Sequence, residues 1–181
     1  KDKIVATTGM ISRELFELRE HQHAGHANDF LTVGGMGHAS QIALTIALQH
    51  PEQRIWCLDG DGAVLMHMGG MAIIANSEAN NLVHVVLNNG AHDSVGGQPT
   101  VGLSIDIAKI ASAMGYKQTY TVTSNTELTK VLNQIKEASG PILINILVRK
   151  GNRPDLGRPT TTPIQNKQAF MAQILKTTDE A

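Results

Sequence analysis

Six short runs of β-branched and aliphatic residues recur along the chain, at Ile4–Thr8, Phe30–Val33, Arg54–Leu58, Val83–Leu87, Gln118–Thr123 and Ile142–Val148. Each has the length of a strand, and most are nearly continuous in apolar character. Strands covered on both faces read that way, because neither side can face water. Between them lie segments with helical period, at Ser12–Glu20, His38–Leu48, Val64–Ala79, Ile105–Met114 and Thr126–Ala138. In the last of these, Leu128, Leu132 and Ile135 form an i, i+4, i+7 stripe. Ser124 or Asn125 can cap its start, and Gly140-Pro141 blocks its continuation. Met66, Met68 and Met71 read as core filling along one helix. This alternation predicts an α/β fold: a doubly wound, mainly parallel six-stranded sheet with helices on both faces. After Val148 the composition turns to Arg, Pro, Gly and Thr as far as Pro163, a loop ahead of a last helix at Gln165–Leu175.

Length and charge narrow the classes of function. The 181 residues fit one domain with its own core. Fifteen Lys and Arg oppose 16 Asp and Glu, a net charge of −1, which favours neither nucleic acid nor a membrane surface as partner. Aromatic residues make up 3%, too few for a base-stacking platform. No apolar run approaches the roughly 18 residues of a membrane span, and no leader-like stretch opens the chain. The single Cys57 excludes an internal disulfide framework and suits the reducing cytoplasm.

The chemistry concentrates at two strand ends. Asp59-Gly60-Asp61-Gly62 follows the third run and Asn88-Asn89 ends the fourth, with 25 residues between them. In an open parallel sheet, ligands bind beyond the carboxyl ends of the strands, where both motifs fall. Asp61 offers a carboxylate and Asn89 a side-chain carbonyl, hard oxygen donors suited to Mg²⁺, whose shell phosphate oxygens and water commonly complete. Gly60 and Gly62 allow close approach of the backbone. A helix starting near Ala63 adds free N–H groups for an anion.

Gly60-Asp61-Gly62 with Asn88-Asn89 resembles the signature of thiamine diphosphate (ThDP)-dependent decarboxylases, and the likeness covers essentially the whole chain. It implies the ThDP-binding fold, and within it the domain that holds the diphosphate end. The resemblance assigns the metal, Mg²⁺, to Asp61, Asn89 and the backbone carbonyl of Ala91. It assigns diphosphate contacts to the backbone of Val95-Gly96 and to the N–H groups of Gly62-Ala63, beside Gly60. Val33-Gly34-Gly35-Met36-Gly37-His38 resembles the segment that bends the cofactor, with Met36 as the prop and the Gly34 carbonyl, next to Gly35, as an acceptor. The segments 8–15, 91–100 and 156–163 resemble the phosphonopyruvate decarboxylase branch, with sulfopyruvate decarboxylases as cousins. Such enzymes also need a glutamate from a pyrimidine-binding domain, and nothing in this sequence resembles that domain. The likeness therefore implies an upstream segment or a separate subunit as partner, and a homo- or hetero-oligomer acting on a 2-oxo acid. A non-catalytic phosphate- or nucleotide-binding module on the same sheet is the alternative of a different class.

Other motifs are weaker. His21, His23 and His26 form H-x-H-x-x-H but read as a solvated helix end rather than a zinc site. Consecutive His92, Asp93 and Ser94 cannot face one another as a hydrolase triad. His92 alone is a catalytic candidate if it points into the cofactor cleft. Arg149, Lys150, Arg153 and Arg158 cluster around a single acid, Asp155. Arg153 and Arg158 are the candidates for a substrate's remote anion, which a guanidinium binds in bidentate fashion.

Overall fold

A computed structural model describes residues 2–178. Six strands form one sheet in the order β2-β1-β3-β4-β8-β7, and every neighbouring pair is parallel. They are β1 (Lys3–Ala6), β2 (Asp29–Leu31), β3 (Ile55–Gly60), β4 (Leu82–Asn88), β7 (Gln118–Val122) and β8 (Ile142–Leu147). A separate two-stranded ribbon, β5 (Ala91–His92) with β6 (Gln98–Pro99), projects beyond the end of β4. The expected doubly wound sheet is thus present, with ends shifted by one or two residues.

Alternation along the strands explains the two layers of helices. On one face Val5, Cys57, Val86 and Leu143 pack with residues of α2 (Ala39–Gln49), α4 (Gly69–Ala75) and α5 (Ile107–Met114). On the other, Val83, Val85, Ile142 and Ile144 meet Val131 of α6 (Asn125–Gln134), while Ala6 and Leu31 meet Leu15 and Phe16 of α1 (Met10–His21). Central β4 is buried at five successive positions, as a strand covered on both faces must be. The edge strand β2 is held by α7 (Pro163–Thr178), where Asn166 accepts from Leu31 N–H and donates to the Asp29 carbonyl, both at 2.9 Å.

One predicted helix is corrected. The segment Val64–Ala79 is two helices, α3 (Asp61–Met66) and α4, broken at His67, whose backbone lies at φ −135°, ψ 44°. Gly69-Gly70 supplies little helical preference to bridge that break. The first helix begins at Asp61 rather than near Ala63, and Met66 is 51% exposed while Met71 is buried. Only part of the methionine stripe therefore fills the core. At α6 the capping expectation is met, with Ser124 Oγ accepting from Glu127 N–H at 3.3 Å.

The chain runs from β1 out to β2, then crosses back to β3 on the other side of β1. This reversal opens a crevice between the carboxyl ends of β1 and β3, the position at which open α/β sheets take their ligands.

Candidate active site

A cavity of about 440 Å³ occupies that crevice. Thr7 and Thr8 reach it from the end of β1, Gly60 to Ala63 from β3 and α3, Asn89 and Ala91 from beyond β4, and Val148 and Arg149 from beyond β8. The three residues expected to hold a metal, Asp61, Asn89 and Ala91, thus line one space.

Asp61 is the first residue of α3 and only 1% exposed. Its carboxylate accepts from the Thr100 hydroxyl, and no Lys, Arg or His among the described residues forms an ion pair with it. A carboxylate buried without a cation is costly, and the chemistry of this position suits a cationic ligand. The loop over it is tightly fixed. Thr100 N–H donates to the Gly90 carbonyl at 2.9 Å, Gly102 N–H to Thr100 Oγ1 at 3.1 Å, and Asn88 Nδ2 to the Gly102 carbonyl at 2.8 Å. A β-carbon at Gly102 would stand 2.5 Å from Asp61 Oδ2, so this backbone approach requires glycine.

Asn89 is oriented at both ends of its amide. Oδ1 accepts from Ala91 N–H at 2.9 Å, and Nδ2 donates to Asp93 Oδ2 at 2.6 Å. One carboxylate, one amide carbonyl and a main-chain carbonyl form an all-oxygen donor set, which fits Mg²⁺ and not a soft metal. Gly62 and Ala63, in the first turn of α3, line the same cavity, and free N–H groups at a helix start favour anionic oxygens. His92 lines the cavity with its ring against Gly62, where an added β-carbon would lie 2.4 Å from ring atoms.

Gly34, Gly35 and Val95 line a second cavity of about 600 Å³, which adjoins the first through the shared residues Thr8, Met10, Met36 and Ser94. Met36 therefore stands at the junction, while Val95 is 62% exposed and Gly96 takes φ +118°. Gly34 and Gly35 also have positive φ, and Gly34 N–H donates to Thr8 Oγ1 at 3.2 Å.

The basic loop differs from expectation. Arg153 is already engaged by carboxylates: its guanidinium donates to Glu17 and lies within 3.6 Å of Glu14 and 3.7 Å of Asp155. Gly157 N–H also donates to Glu17, at 2.6 Å. Gly157 N–H and Arg153 together hold the Glu17 carboxyl below its usual range. Arg153 thus pins the loop to α1. Arg158 lines the second cavity beside Gly34 and Gly35, and Arg149 lines the first. Sequence reasoning counted Arg149 only as a member of the cluster and did not single out Thr100 or Asp93, although both lie in a segment that carried the family likeness.

Beneath the site, Asp59 Oδ1 accepts from Gly60 N–H at 3.0 Å and Oδ2 lies 3.5 Å from His84 Nε2, while His84 Nδ1 is 3.1 Å from the Tyr116 hydroxyl. Burial raises the pKa of Tyr116 and that of nearby Cys57. His21, His23 and His26 do not converge: His26 stacks on Phe16 at 4.0 Å and pairs with Glu20 at 2.5 Å.

This chain belongs to the thiamine pyrophosphate enzymes: residues 7–146 match the family model described as the C-terminal TPP binding domain. Among curated relatives, a phosphonopyruvate decarboxylase of Streptomyces viridochromogenes is 39% identical over 94% of this chain. The match spans 42% of that relative's length, so this chain corresponds to well under half of it. A sulfopyruvate decarboxylase subunit beta of Methanothermobacter thermautotrophicus is 32% identical, covering 82% of this chain and 75% of the relative. The fold also matches a 2-oxoglutarate:ferredoxin oxidoreductase from Magnetococcus marinus, with TM-score 0.66 and 16% identity over 86% of this chain and 57% of that one. No helix among the described residues is long and apolar enough to cross a membrane.

Proposed function

We propose that this chain is the diphosphate- and metal-binding part of a ThDP- and Mg²⁺-dependent 2-oxo acid decarboxylase. The substrate is 3-phosphonopyruvate, and the products are phosphonoacetaldehyde and CO₂. One observation carries the reading: a buried carboxylate without a cationic partner, Asp61, faces the same cavity as Asn89 and Ala91 at the sheet's switch point. The higher identity to a phosphonopyruvate decarboxylase, over more of this chain, supports that substrate over sulfopyruvate.

ThDP, when bound, supplies the carbanion and the electron sink that decarboxylation of a 2-oxo acid needs. The protein's part is positioning. Asp61, Asn89 and the Ala91 carbonyl would hold the ion, and the Gly62-Ala63 amides would help to hold the diphosphate. Thr100 fixes the Asp61 carboxylate by hydrogen bonding. Met36, between the two cavities, and Gly34-Gly35 would shape the passage for the cofactor's rings. His92, half-buried over Gly62, is a titratable side chain on the cavity wall, placed to exchange a proton with a bound ligand. Activation of the pyrimidine ring falls to a partner domain, joined upstream or supplied as a separate subunit, in an oligomer. The lone buried Cys57 fits the cytoplasm.

The test is reconstitution. The 181-residue chain with ThDP and Mg²⁺ should release no aldehyde by itself and should turn over phosphonopyruvate once the pyrimidine-binding domain is added. Faster turnover of sulfopyruvate would move the chain to the cousin activity. Stabilisation by ADP but not by ThDP would instead make it a nucleotide-binding module.

A further inference from the structure

Two stretches about 60 residues apart in sequence are tied together at the cavity rim. Asp93 begins a single 3₁₀ turn, Asp93–Val95, directly after β5. Its Oδ2 accepts twice, from Asn89 Nδ2 at 2.6 Å and from Gly151 N–H at 2.7 Å. A second tie lies just before it in the loop, where Val148 N–H donates to the Asn88 carbonyl at 2.9 Å. Residues 149 and 150 therefore form a short bridge, pinned on both sides to the segment that presents Asn89 and Ala91. Arg149 stands on this bridge and lines the cavity. Among the described residues it makes no side-chain hydrogen bond or ion pair, in contrast to Arg153.

The chemistry of the clamp is directional. A carboxylate only accepts, so it draws the amide nitrogen of Asn89 toward itself and leaves the carbonyl end on the opposite side, where a metal ligand must be. The same oxygen receives Gly151 N–H, so the orientation of Asn89 and the position of the bridge depend on one atom.

Resting on the metal-site reading above, we propose that Asp93 is a positioning residue that joins the metal seat to the substrate rim. It fixes the amide of Asn89 and holds Arg149 where a guanidinium binds the substrate's second anion, a phosphonate or sulfonate. Arg149, rather than Arg153, is then the specificity determinant on this side of the cavity.

The experiment uses the assembled enzyme and the variants Asp93→Ala, Asp93→Asn, Arg149→Ala and the Asp93→Ala/Arg149→Ala pair. Mn²⁺ affinity in the presence of ThDP, read by electron paramagnetic resonance, requires no turnover. Loss of a group that orients a metal ligand typically weakens metal binding about 10- to 100-fold, and Asp93→Ala should fall in that range. Asp93→Asn, whose amide oxygen can still accept, should recover most of the affinity, and Arg149→Ala should leave it unchanged. In kcat/KM, Arg149→Ala should lose roughly tenfold or more on phosphonopyruvate and little on pyruvate. In the Asp93→Ala background the same change should cost far less, because the bridge is already loose. Wild-type Mn²⁺ affinity in Asp93→Ala, or strict additivity of the pair, overturns the proposal. If Asp93→Ala does not fold, Asp93→Ser decides, because its shorter side chain cannot serve both donors: weaker Mn²⁺ binding with a reduced Arg149 effect supports the link, and wild-type values for both overturn it. Asp61→Asn is the control for the underlying reading. If that variant binds Mn²⁺ like the wild type, the metal site itself is wrong and the inference falls with it, a pattern distinct from failure at Asp93 alone.

Discussion

Asp61→Asn separates what the buried carboxylate does for the ion from what it does for the fold. The substitution keeps size and shape, and its amide oxygen still accepts from Thr100, so the Gly102 backbone can stay in place. Only the charge leaves. Groups that merely orient a ligand contribute about 10- to 100-fold in metal affinity, so the one charged ligand should contribute at least about 100-fold. For wild type with ligand at about 100 times Kd, binding adds roughly 2.7 kcal/mol to stability. A Kd about 100-fold weaker at the same concentration leaves about 0.4 kcal/mol. A domain of this size shifts by about 2–4 °C per kcal/mol, so ThDP with Mg²⁺ should raise the wild-type Tm by about 5–11 °C and the variant's by about 1–2 °C. Without ligand the variant should melt no lower than wild type, because a buried carboxylate lacking a cation is replaced by a neutral amide. The assay is thermal unfolding followed by circular dichroism, with ThDP alone, with ThDP and Mg²⁺, and with chelator, on the chain by itself and with its partner domain. A wild-type increment that survives in Asp61→Asn, or one that appears without divalent metal, refutes the reasoning. Absence of any increment in the wild type in both settings refutes the cofactor reading as a whole.

Gly102→Ala should weaken Mg²⁺-dependent ThDP binding about tenfold or more in calorimetric titration, since the new β-carbon meets Asp61 Oδ2 at 2.5 Å and Asn88 Oδ1 at 2.9 Å. His84→Leu leaves the Tyr116 hydroxyl buried without its partner and should lower stability by about 1–3 kcal/mol in denaturant unfolding; adding Tyr116→Phe should restore part of it, and an additive further loss would contradict the His84–Tyr116 coupling. The pKa of Glu17 is lowered in the folded state. Its stabilisation is therefore present above the unfolded value and is lost as pH falls through the lower, folded value. Glu17→Gln should flatten the decline of Tm between about pH 5 and about pH 3, and an unchanged acid limb would show that the Arg153 and Gly157 contacts do not form in solution.

The sheet was legible because its signal is local. Buried central strands need nearly continuous apolar runs, and Val83–Leu87 and Ile142–Val148, each interrupted by one polar residue, His84 and Asn145, state that directly; β4 and β8 lie where those runs lie. The meeting of Asp61 and Asn89 at one cavity was legible for a related reason: each sits at the end of such a run, and parallel strands bring their ends to one edge. The break at His67 was not legible, since the apolar pattern continues across it and only the backbone shows that Gly69-Gly70 fails to carry the helix over. The roles of the arginines were hidden more deeply. Within ten residues Arg149, Arg153 and Arg158 look alike, and what separates them is supplied from far along the chain. Glu14 and Glu17 of α1 claim Arg153, Gly34-Gly35 neighbour Arg158, and Asp93 with Asn88 anchors the bridge that carries Arg149. A surface ion pair such as Arg153–Glu17 is worth little in stability. Its larger consequence is to engage one guanidinium of the three, leaving Arg149 on the wall of the first cavity and Arg158 on that of the second. On the proposal that Arg149 reads a second substrate anion, its recognition would lie in the arrangement of loops around a sheet edge, where a family signature confined to strand ends does not reach.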